Sequence, residues 1–212
     1  MVSCVTYKQR DLTPNVVSII IPSYNSLRFI EDAISSAYAQ SYKPIEVIVV
    51  DDGSNDGSYE LILELKSRKY HNLIISRHLD RNNFGVSTTR ERGVSLASGE
   101  FIAFLDADDM FAPDKIGKQV EVMKCHEDVV LCHTGVSVIG DVSQSIRYEQ
   151  NFMNNPLVPY WFRNRSDYLL NNHICLSSVL VKTRPLREIP FATPQAFQYE
   201  DWLCWCLIAT RG

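Results

Sequence analysis

The sequence has no apolar run that approaches the roughly 20 residues needed to span a bilayer. Residues 1–15 are mixed and polar, and they lack the apolar core of a secretory signal. Basic residues are not in excess either, because 21 Lys and Arg stand against 25 Asp and Glu, a formal net charge of −4. A nucleic-acid-binding protein usually carries a basic excess, so we expect neither a nucleic-acid partner nor a transmembrane segment.

The cysteine and histidine patterns typical of zinc sites and of disulfide-rich proteins are also missing. The six cysteines form no CxxC pair, and the five histidines show no ligand spacing. These spacings argue against a zinc site. The cysteines lie mostly among apolar residues, which favours free thiols in a reducing compartment. We therefore expect a cytoplasmic protein.

The chain is nevertheless well supplied with core-forming residues. Its 212 residues are 45% hydrophobic, enough for one domain with a real core. Short apolar runs predict strands, and apolar residues at helical spacing predict helices between them. The strands are predicted over 16–21, 45–50, 73–76, 101–105, 129–138 and 177–181, and the helices over 26–40, 58–68, 87–97 and from Pro113 onward. This alternation favours an α/β protein with a mainly parallel sheet covered by helices on both faces, a three-layer sandwich.

Two helix boundaries have signals of their own. Ser26 is predicted as the N-cap of the first helix, with Leu27 on its apolar face. Gly99 follows the third helix and is predicted as its stop signal.

Polar residues follow three of the predicted strands. They are Tyr24-Asn25, Asp51-Asp52 and the carboxylates of residues 106–109. In a parallel sheet these strand ends share one edge, where ligands bind. Three carboxylates together would repel one another unless a hard cation and its anionic ligand lay among them. A polar surface loop is the alternative, but the convergence of three strand ends favours a ligand site.

Four segments together resemble the family 2 glycosyltransferases, which have the GT-A fold. The segments are VSIIIPSYN at 17–25, EVIVVDDGS at 46–54, GVSTTR at 85–90 and LDADD at 105–109. Glu200-Asp201-Trp202 lies where the family carries its ED motif. The resemblance implies an extension over 1–15 and a GT-A domain over 16–212. Within that domain, about 16–110 would bind the nucleotide and about 111–212 the acceptor.

The resemblance implies a metal-dependent hexosyltransferase that moves one sugar from a nucleotide-diphospho-sugar, commonly a UDP-sugar, with inversion. The leaving diphosphate develops negative charge, which Mn²⁺ or Mg²⁺ would neutralise. Asp108 matches the family's metal ligand, whereas Asp109 has no assigned role. The donor-binding positions would be Pro22, Tyr24, Asn25, Asp52, Arg90, Asp106 and Ala107. Among them, Tyr24 would stack on the base, Asp52 would accept the uracil N–H, and Asp106 would contact the ribose or the metal shell.

The ED motif supplies the expected catalytic base. Asp201 would take the proton from the acceptor hydroxyl, and Glu200, Trp202 and His173 would lie on the acceptor side. The plainer reading of Glu200-Asp201 is a pair of acids at a helix N-terminus, which the helix dipole stabilises.

Some features depart from the family pattern. Glu91 stands where the family often has Asn, and the chain ends eleven residues after Asp201, which suggests a C-terminal truncation. The Gln-x-x-Arg-Trp pattern of processive synthases is absent, which favours transfer of a single sugar.

Three alternatives stay open. An inactive nucleotide-sugar-binding domain would share the fold. A phosphatase of the haloacid dehalogenase type also has DxD after a strand, but Met110 stands where Thr or Val is usual. A sugar nucleotidyltransferase would need a glycine-rich loop in place of residues 22–25.

The resemblance also suggests an acceptor, a saccharide or lipid-linked saccharide of bacterial surface polysaccharide assembly. The aromatic and basic segment at 160–165 could lie near such a lipid. A peripheral contact with the inner face of the plasma membrane therefore stays open, as does a partly buried aromatic cluster.

Overall fold

A mainly parallel sheet forms the centre of the molecule. The computed structural model describes residues 11–78, 80, 82–139, 174–189 and 200–211, with backbone only at 200 and 209–211. Within these residues one sheet has the strands β1 (Thr13–Ser23), β2 (Ile45–Asp51), β3 (Ile74–Arg77), β4 (Gly99–Phe104), β5 (Leu131–His133) and β6 (Val179–Lys182). Their order is β3-β2-β1-β4-β6-β5. The first four strands are parallel, and β6 runs antiparallel to both β4 and β5.

Helices cover both faces of this sheet. They are α1 (Ile30–Tyr38), α2 (Ser58–Arg68), α3 (Val86–Leu96), α4 (Lys115–Cys125), α5 (Thr183–Arg187) and α6 (Glu200–Arg211). Helices α1, α2 and α4 contribute to one apolar core, and α3, α5 and α6 contribute to the other. The predicted three-layer α/β/α architecture is confirmed. None of the helices in the described residues is both long and apolar enough to cross a membrane.

The middle of each central strand is mostly apolar because both of its faces are buried. In β1, Val17, Ile19 and Ile21 point into the first core, whereas Ile20 points into the second. All four side chains are fully buried. A strand of this kind offers no place for a charged side chain until it ends, so polar residues collect at the ends of the strands.

The three predicted polar clusters do share one edge. Strand β1 is parallel to β2, with Ser23 opposite Asp51, and parallel to β4, with Ile20 opposite Phe104. The residues that follow β1, β2 and β4 therefore emerge at the carboxyl edge of the sheet, as the sequence predicted.

The prediction for the start of the first helix is wrong. The helix begins at Ile30, and Ser26 does not cap it through its side chain. The Ser26 hydroxyl lies 2.7 Å from the Ser23 hydroxyl instead, and the Ser26 carbonyl accepts bonds from the N–H groups of Phe29 and Ile30. Residues 24–29 thus form a loop and a turn before the helix, and Leu27 is 45% exposed rather than on a buried face.

Three other boundaries differ from the predictions. Gly99 opens β4 and does not end α3, whose last residue is Leu96. A Cβ atom at Gly99 would lie 2.6 Å from the Val16 carbonyl oxygen, so close strand pairing explains the glycine. The strand predicted over 129–138 is confined to β5, and a 3₁₀ turn over Leu176–Ser178 delays the start of β6.

The close approach of α3 to β1 gives a stability test. A Cβ at Gly93 in α3 would lie 2.4 Å from Cγ2 of the buried Ile20, whereas a Cβ at Gly117 in α4 would lie 3.7 Å from its nearest neighbour, Ser41 Oγ. We expect Gly93→Ala to lower the free energy of unfolding by about 1–3 kcal/mol through overpacking. Gly117→Ala, the matched control, should raise it by up to about 1 kcal/mol because alanine favours helix. Urea denaturation measures both, and equal stability of the two variants would contradict the packing argument.

Candidate active site

The loop after β1 is held in place by the loop after β2. The N–H groups of Asn25 and Ser26 donate to the hydroxyls of Ser54 and Ser58 at 3.0 and 2.8 Å. In return, Asn55 N–H donates to Asn25 Oδ1 at 3.0 Å. Asn25 has a φ of 48°, in the left-handed region that asparagine tolerates better than most residues. These bonds fix the backbone of the first loop at the carboxyl edge.

An open cleft of about 340 Å³ lies beside this loop. It is lined by Pro22, Tyr24, Asn25, Ser26, Phe29, Val86, Arg90, Asp106, Ala107 and Asp108. The structure therefore brings together all but one of the predicted donor-binding residues with the predicted metal ligand; Asp52 is the exception. Tyr24 is 48% exposed at the cleft, where its aromatic side chain could stack on a planar ligand.

The aspartate that ends β2 has a structural role. Asp51 is fully buried and forms an ion pair with Arg77 Nε at 2.8 Å. Its Oδ2 also accepts the N–H groups of Gly53 and Ser54 at 3.2 Å. The Arg77 guanidinium donates to the Ser54 carbonyl at 2.9 Å, so the pair sets the shape of the loop after β2.

The second aspartate holds the approach to α3. Asp52 is 3% exposed, and its two carboxylate oxygens accept the N–H groups of Phe84 and Gly85 at 2.7 and 3.0 Å. Gly85 has a φ of 89°, which favours glycine there. The carboxylate thus faces this loop, outside the cleft lining given above. Its role in base recognition stays a prediction.

His78 completes the support of the same loop. Its Nε2 lies 3.1 Å from the Thr89 hydroxyl and 3.7 Å from Asp52, and its ring packs against Phe84 at a centroid distance of 4.9 Å. Burial lowers the pKa of His78 below its ordinary value, although the Asp52 charge opposes this shift. The imidazole is therefore mainly neutral at pH 7.

An ion pair joins α3 to the end of β4. Arg90 Nη2 lies 2.9 Å from Asp106 Oδ1, and the arginine is almost fully buried. Arg90 therefore does not lie on a solvated face of α3, although its neighbours Glu91 and Arg92 are also charged. Because Asp106 lines the cleft, this pair places a cation beside a carboxylate at the point where an anionic ligand would enter.

The three carboxylates that follow β4, at positions 106, 108 and 109, do not all face one site as the sequence predicted. Asp109 turns toward Ser177, whose hydroxyl donates to Asp109 Oδ2 at 2.5 Å. Burial raises the pKa of Asp109, and the bond from Ser177 opposes that shift. Asp108 is exposed at the cleft. In the part of the chain that the structure describes, no three His, Cys, Asp or Glu side chains are arranged to hold a metal ion.

The cleft still fits a divalent cation that arrives with a phosphate ligand. Asp106 and Asp108 both line it, and carboxylate oxygens suit Mg²⁺ and Mn²⁺. In proteins Mg²⁺ commonly takes one or two carboxylates, completes its shell with substrate phosphates and keeps several waters. Two carboxylates therefore suffice for this mode of binding, whereas a preformed protein cage would need more ligands.

The ED motif stands at the beginning of α6. Trp202 N–H donates to Asp201 Oδ1 at 2.7 Å, and both residues are partly exposed. Farther along the helix, Trp205 is buried against Phe104 of β4, with ring centroids 6.5 Å apart. Helix α6 is thus packed against the strand that leads to Asp106. Asp201 itself is not among the described residues that line the cleft.

Several predicted features lie outside the described residues. They include His173, the side chain of Glu200 and the aromatic and basic segment at 160–165.

Four residues of the site carry no signal of that role in the sequence. Ser26, Phe29 and Val86 line the cleft, and the last two are apolar and more than two-fifths exposed. A serine or an apolar residue in a local pattern gives no sign that it will face a ligand. Ser177 is the fourth, and its contact with Asp109 spans 68 residues of sequence, which no local pattern reveals.

Curated relatives support a family assignment. An uncharacterized glycosyltransferase of Rickettsia conorii is 31% identical over 206 residues, which cover 92% of this chain and 32% of the relative. A candidate teichuronic acid biosynthesis glycosyltransferase, TuaG of Bacillus subtilis, is 38% identical over 108 residues, 51% of this chain and 42% of TuaG. The chain thus spans about a third to two-fifths of the length of these two relatives.

Solved structures show the same fold. TarS 1–349 of S. aureus in complex with UDP-GlcNAc matches with a TM-score of 0.62 and 24% identity, over 89% of this chain and 53% of that one. The mannosyltransferase PcManGT of Pyrobaculum calidifontis, in complex with GDP-Man and Mn²⁺, matches with a TM-score of 0.68 and 20% identity, over 92% and 52%. These matches confirm the predicted GT-A fold.

The family model named Glycosyl transferase family 2 matches residues 18–189. That span includes most of β1, everything that lines the cleft, and the strand β6 that completes the sheet beside β4. The chain therefore belongs to glycosyl transferase family 2.

Proposed function

We propose that this chain transfers one sugar from a nucleotide-diphospho-sugar, a UDP-sugar in the first instance, to an acceptor hydroxyl with inversion. The observation that carries the proposal is the cleft at the carboxyl edge of the sheet. There the exposed ring of Tyr24, the Arg90–Asp106 pair and the exposed Asp108 face one space. This arrangement suits a ligand with a planar base at one end and a diphosphate at the other.

The relatives support this choice of donor. TarS has been solved with UDP and with UDP-GlcNAc, and PcManGT with GDP-Man. The chemistry of the cleft fits either base, since ring stacking on Tyr24 is tolerant of base identity. We propose UDP because the family resemblance assigns Asp52 to the uracil N–H.

The charges in the cleft suit a departing diphosphate. Asp108 and Asp106 would hold Mn²⁺ or Mg²⁺, which when bound neutralises the negative charge that develops on the leaving group. Arg90 keeps the Asp106 carboxylate oriented through its bond at 2.9 Å. It also places positive charge at the wall of the cleft, which offsets one of the two carboxylates, so attraction of the anionic donor would depend mainly on the bound cation.

We assign the proton transfer to Asp201. Its carboxylate would take the proton of the acceptor hydroxyl while that oxygen forms a bond to the anomeric carbon. The bond from this carbon to the diphosphate oxygen breaks on the opposite side, so the configuration inverts. The assignment rests on the match to the ED motif and on the partly exposed position of Asp201 at the start of α6.

We propose a saccharide or lipid-linked saccharide acceptor in bacterial surface polysaccharide synthesis, and a cytoplasmic location. The name of TuaG supports the acceptor class. We also keep the proposed division into a nucleotide-binding part over about 16–110 and an acceptor part over about 111–212. Family membership rules out the phosphatase and nucleotidyltransferase alternatives. An inactive donor-binding domain is the remaining alternative, and turnover decides it.

A donor screen tests the proposed activity directly. The purified chain is incubated with UDP-, GDP- and dTDP-sugars, with Mn²⁺, Mg²⁺ or a chelator, and release of the nucleoside diphosphate is measured. We expect slow hydrolysis of a UDP-sugar that stops when the metal is chelated. Binding without turnover would favour the inactive domain, and no binding of any nucleotide diphosphate would contradict the proposal.

Asp108→Asn tests the metal ligand. UDP with Mn²⁺ should raise the melting temperature of the parent protein, because a ligand of the native state stabilises it. In Asp108→Asn we expect most of the Mn²⁺-dependent increase in melting temperature to be lost. Asp114→Asn is the matched control, since Asp114 is exposed and pairs with Lys118. If the Mn²⁺-dependent increase in melting temperature is unchanged in Asp108→Asn, Asp108 is not the metal ligand.

Asp201→Asn tests the catalytic base. We expect turnover of the donor found in the screen to fall by about 10²–10⁴-fold, the usual contribution of a positioned base. The dissociation constant for UDP with Mn²⁺ should stay unchanged, because the base acts on the acceptor. Asp128→Asn, at an exposed acid, is the control. Full turnover in Asp201→Asn would show that another group takes the proton.

A further inference from the structure

One buried hydroxyl contacts both ends of the turn that carries the proposed metal ligand. Ser177 belongs to the 3₁₀ turn before β6 and is 8% exposed. It accepts a hydrogen bond from Asp106 N–H at 3.1 Å and donates one to Asp109 Oδ2 at 2.5 Å. A hydroxyl has a single proton to donate, and here that proton is committed to Asp109. The side chain therefore has one preferred orientation.

The turn between these two contacts includes Ala107 and Asp108. A backbone bond from Asp109 N–H to the Asp106 carbonyl at 3.0 Å closes it. That bond fixes the shape of the turn but not its direction relative to the sheet. The direction is set from outside, by Ser177 at both ends and by Arg90 at Asp106.

The support behind Ser177 is rigid. Ser178 N–H donates to the Cys175 carbonyl at 2.9 Å, and Gln119 of α4 donates to the Ser178 carbonyl at 2.9 Å. Both serines are buried, and β6 follows directly as a neighbour of β4. A side chain fixed in this way can hold a partner in place, because its own position is determined by packing and hydrogen bonds.

We propose that Ser177 is a positioning residue that holds the turn of residues 106–109 so that Asp108 faces the cleft. Ser177 acts through the two aspartates and is not among the described residues that line the cleft. The consequence for ligand binding rests on the proposed function. Residues that orient a metal ligand typically change metal affinity 10–100-fold when they are removed.

The neighbouring serine provides a matched control. Ser178 is 1% exposed, and its hydroxyl donates to the Cys175 carbonyl at 2.6 Å within the same 3₁₀ turn. Ser178→Ala therefore removes a buried hydroxyl of the same kind from the same turn. It leaves both bonds of Ser177 to the aspartates in place.

The experiment compares the parent chain with Ser177→Ala, Ser177→Thr and Ser178→Ala. Amide hydrogen exchange of residues 105–110 is measured without ligand, and the dissociation constant for UDP is measured by calorimetry with and without Mn²⁺. We expect Ser177→Ala to exchange faster at the Asp106 amide and to bind UDP with Mn²⁺ about 10–100-fold more weakly. Ser177→Thr keeps the hydroxyl and should restore both values, whereas Ser178→Ala should leave both unchanged.

The possible results separate the positioning role of Ser177 from the proposed binding of the donor. Parent-like exchange at Asp106 in Ser177→Ala overturns the inference, as does equal weakening of UDP binding in the two alanine variants. If Ser177→Ala does not fold, Ser177→Cys takes its place, because a thiol is a weaker donor and acceptor and should give a smaller change in the same direction. If the parent binds no UDP with Mn²⁺, the proposed function fails, and the exchange data alone decide whether Ser177 holds the turn.

Discussion

The burial of β1, β2 and β4 on both faces is the constraint on which the rest of the structure depends. Side chains in the middle of these strands are mostly apolar, and the charged groups stand near the strand ends. Since the three strands are parallel and adjacent, their ends meet at one edge. The position of the cleft therefore follows from the sheet, because polar side chains are tolerated where the strands end.

Not every carboxylate at this edge faces the ligand space. Asp51, Asp52 and Asp109 accept hydrogen bonds from the protein and shape the loops after β2, before α3 and after β4. Asp106 and Asp108 line the cleft. The aspartates that accept hydrogen bonds from the protein thus support the two that line the cleft, which explains how many acids can occupy one edge without all of them facing the same space.

The sequence predicted the elements that local patterns determine and missed what tertiary contacts determine. The helix over 58–68 matches α2 to the residue, and the strand over 45–50 matches β2 except for Asp51. The first helix began too early in the prediction because the loop before it is held by residues beyond β2. For the same reason, the motif located the aspartate cluster but could not show which of its members would turn away toward Ser177.

The direction of β6 has a consequence for how the site can vary. In the parallel part of the sheet, only the chain that follows a strand reaches the carboxyl edge. Because β6 runs antiparallel to β4, the chain that precedes it arrives there as well. A single antiparallel strand thus brings a second stretch of polypeptide to the edge of the sheet that carries the cleft. Changes in sequence just upstream of β6 should therefore alter the shape of the cleft, although they lie far along the chain from every residue that lines it.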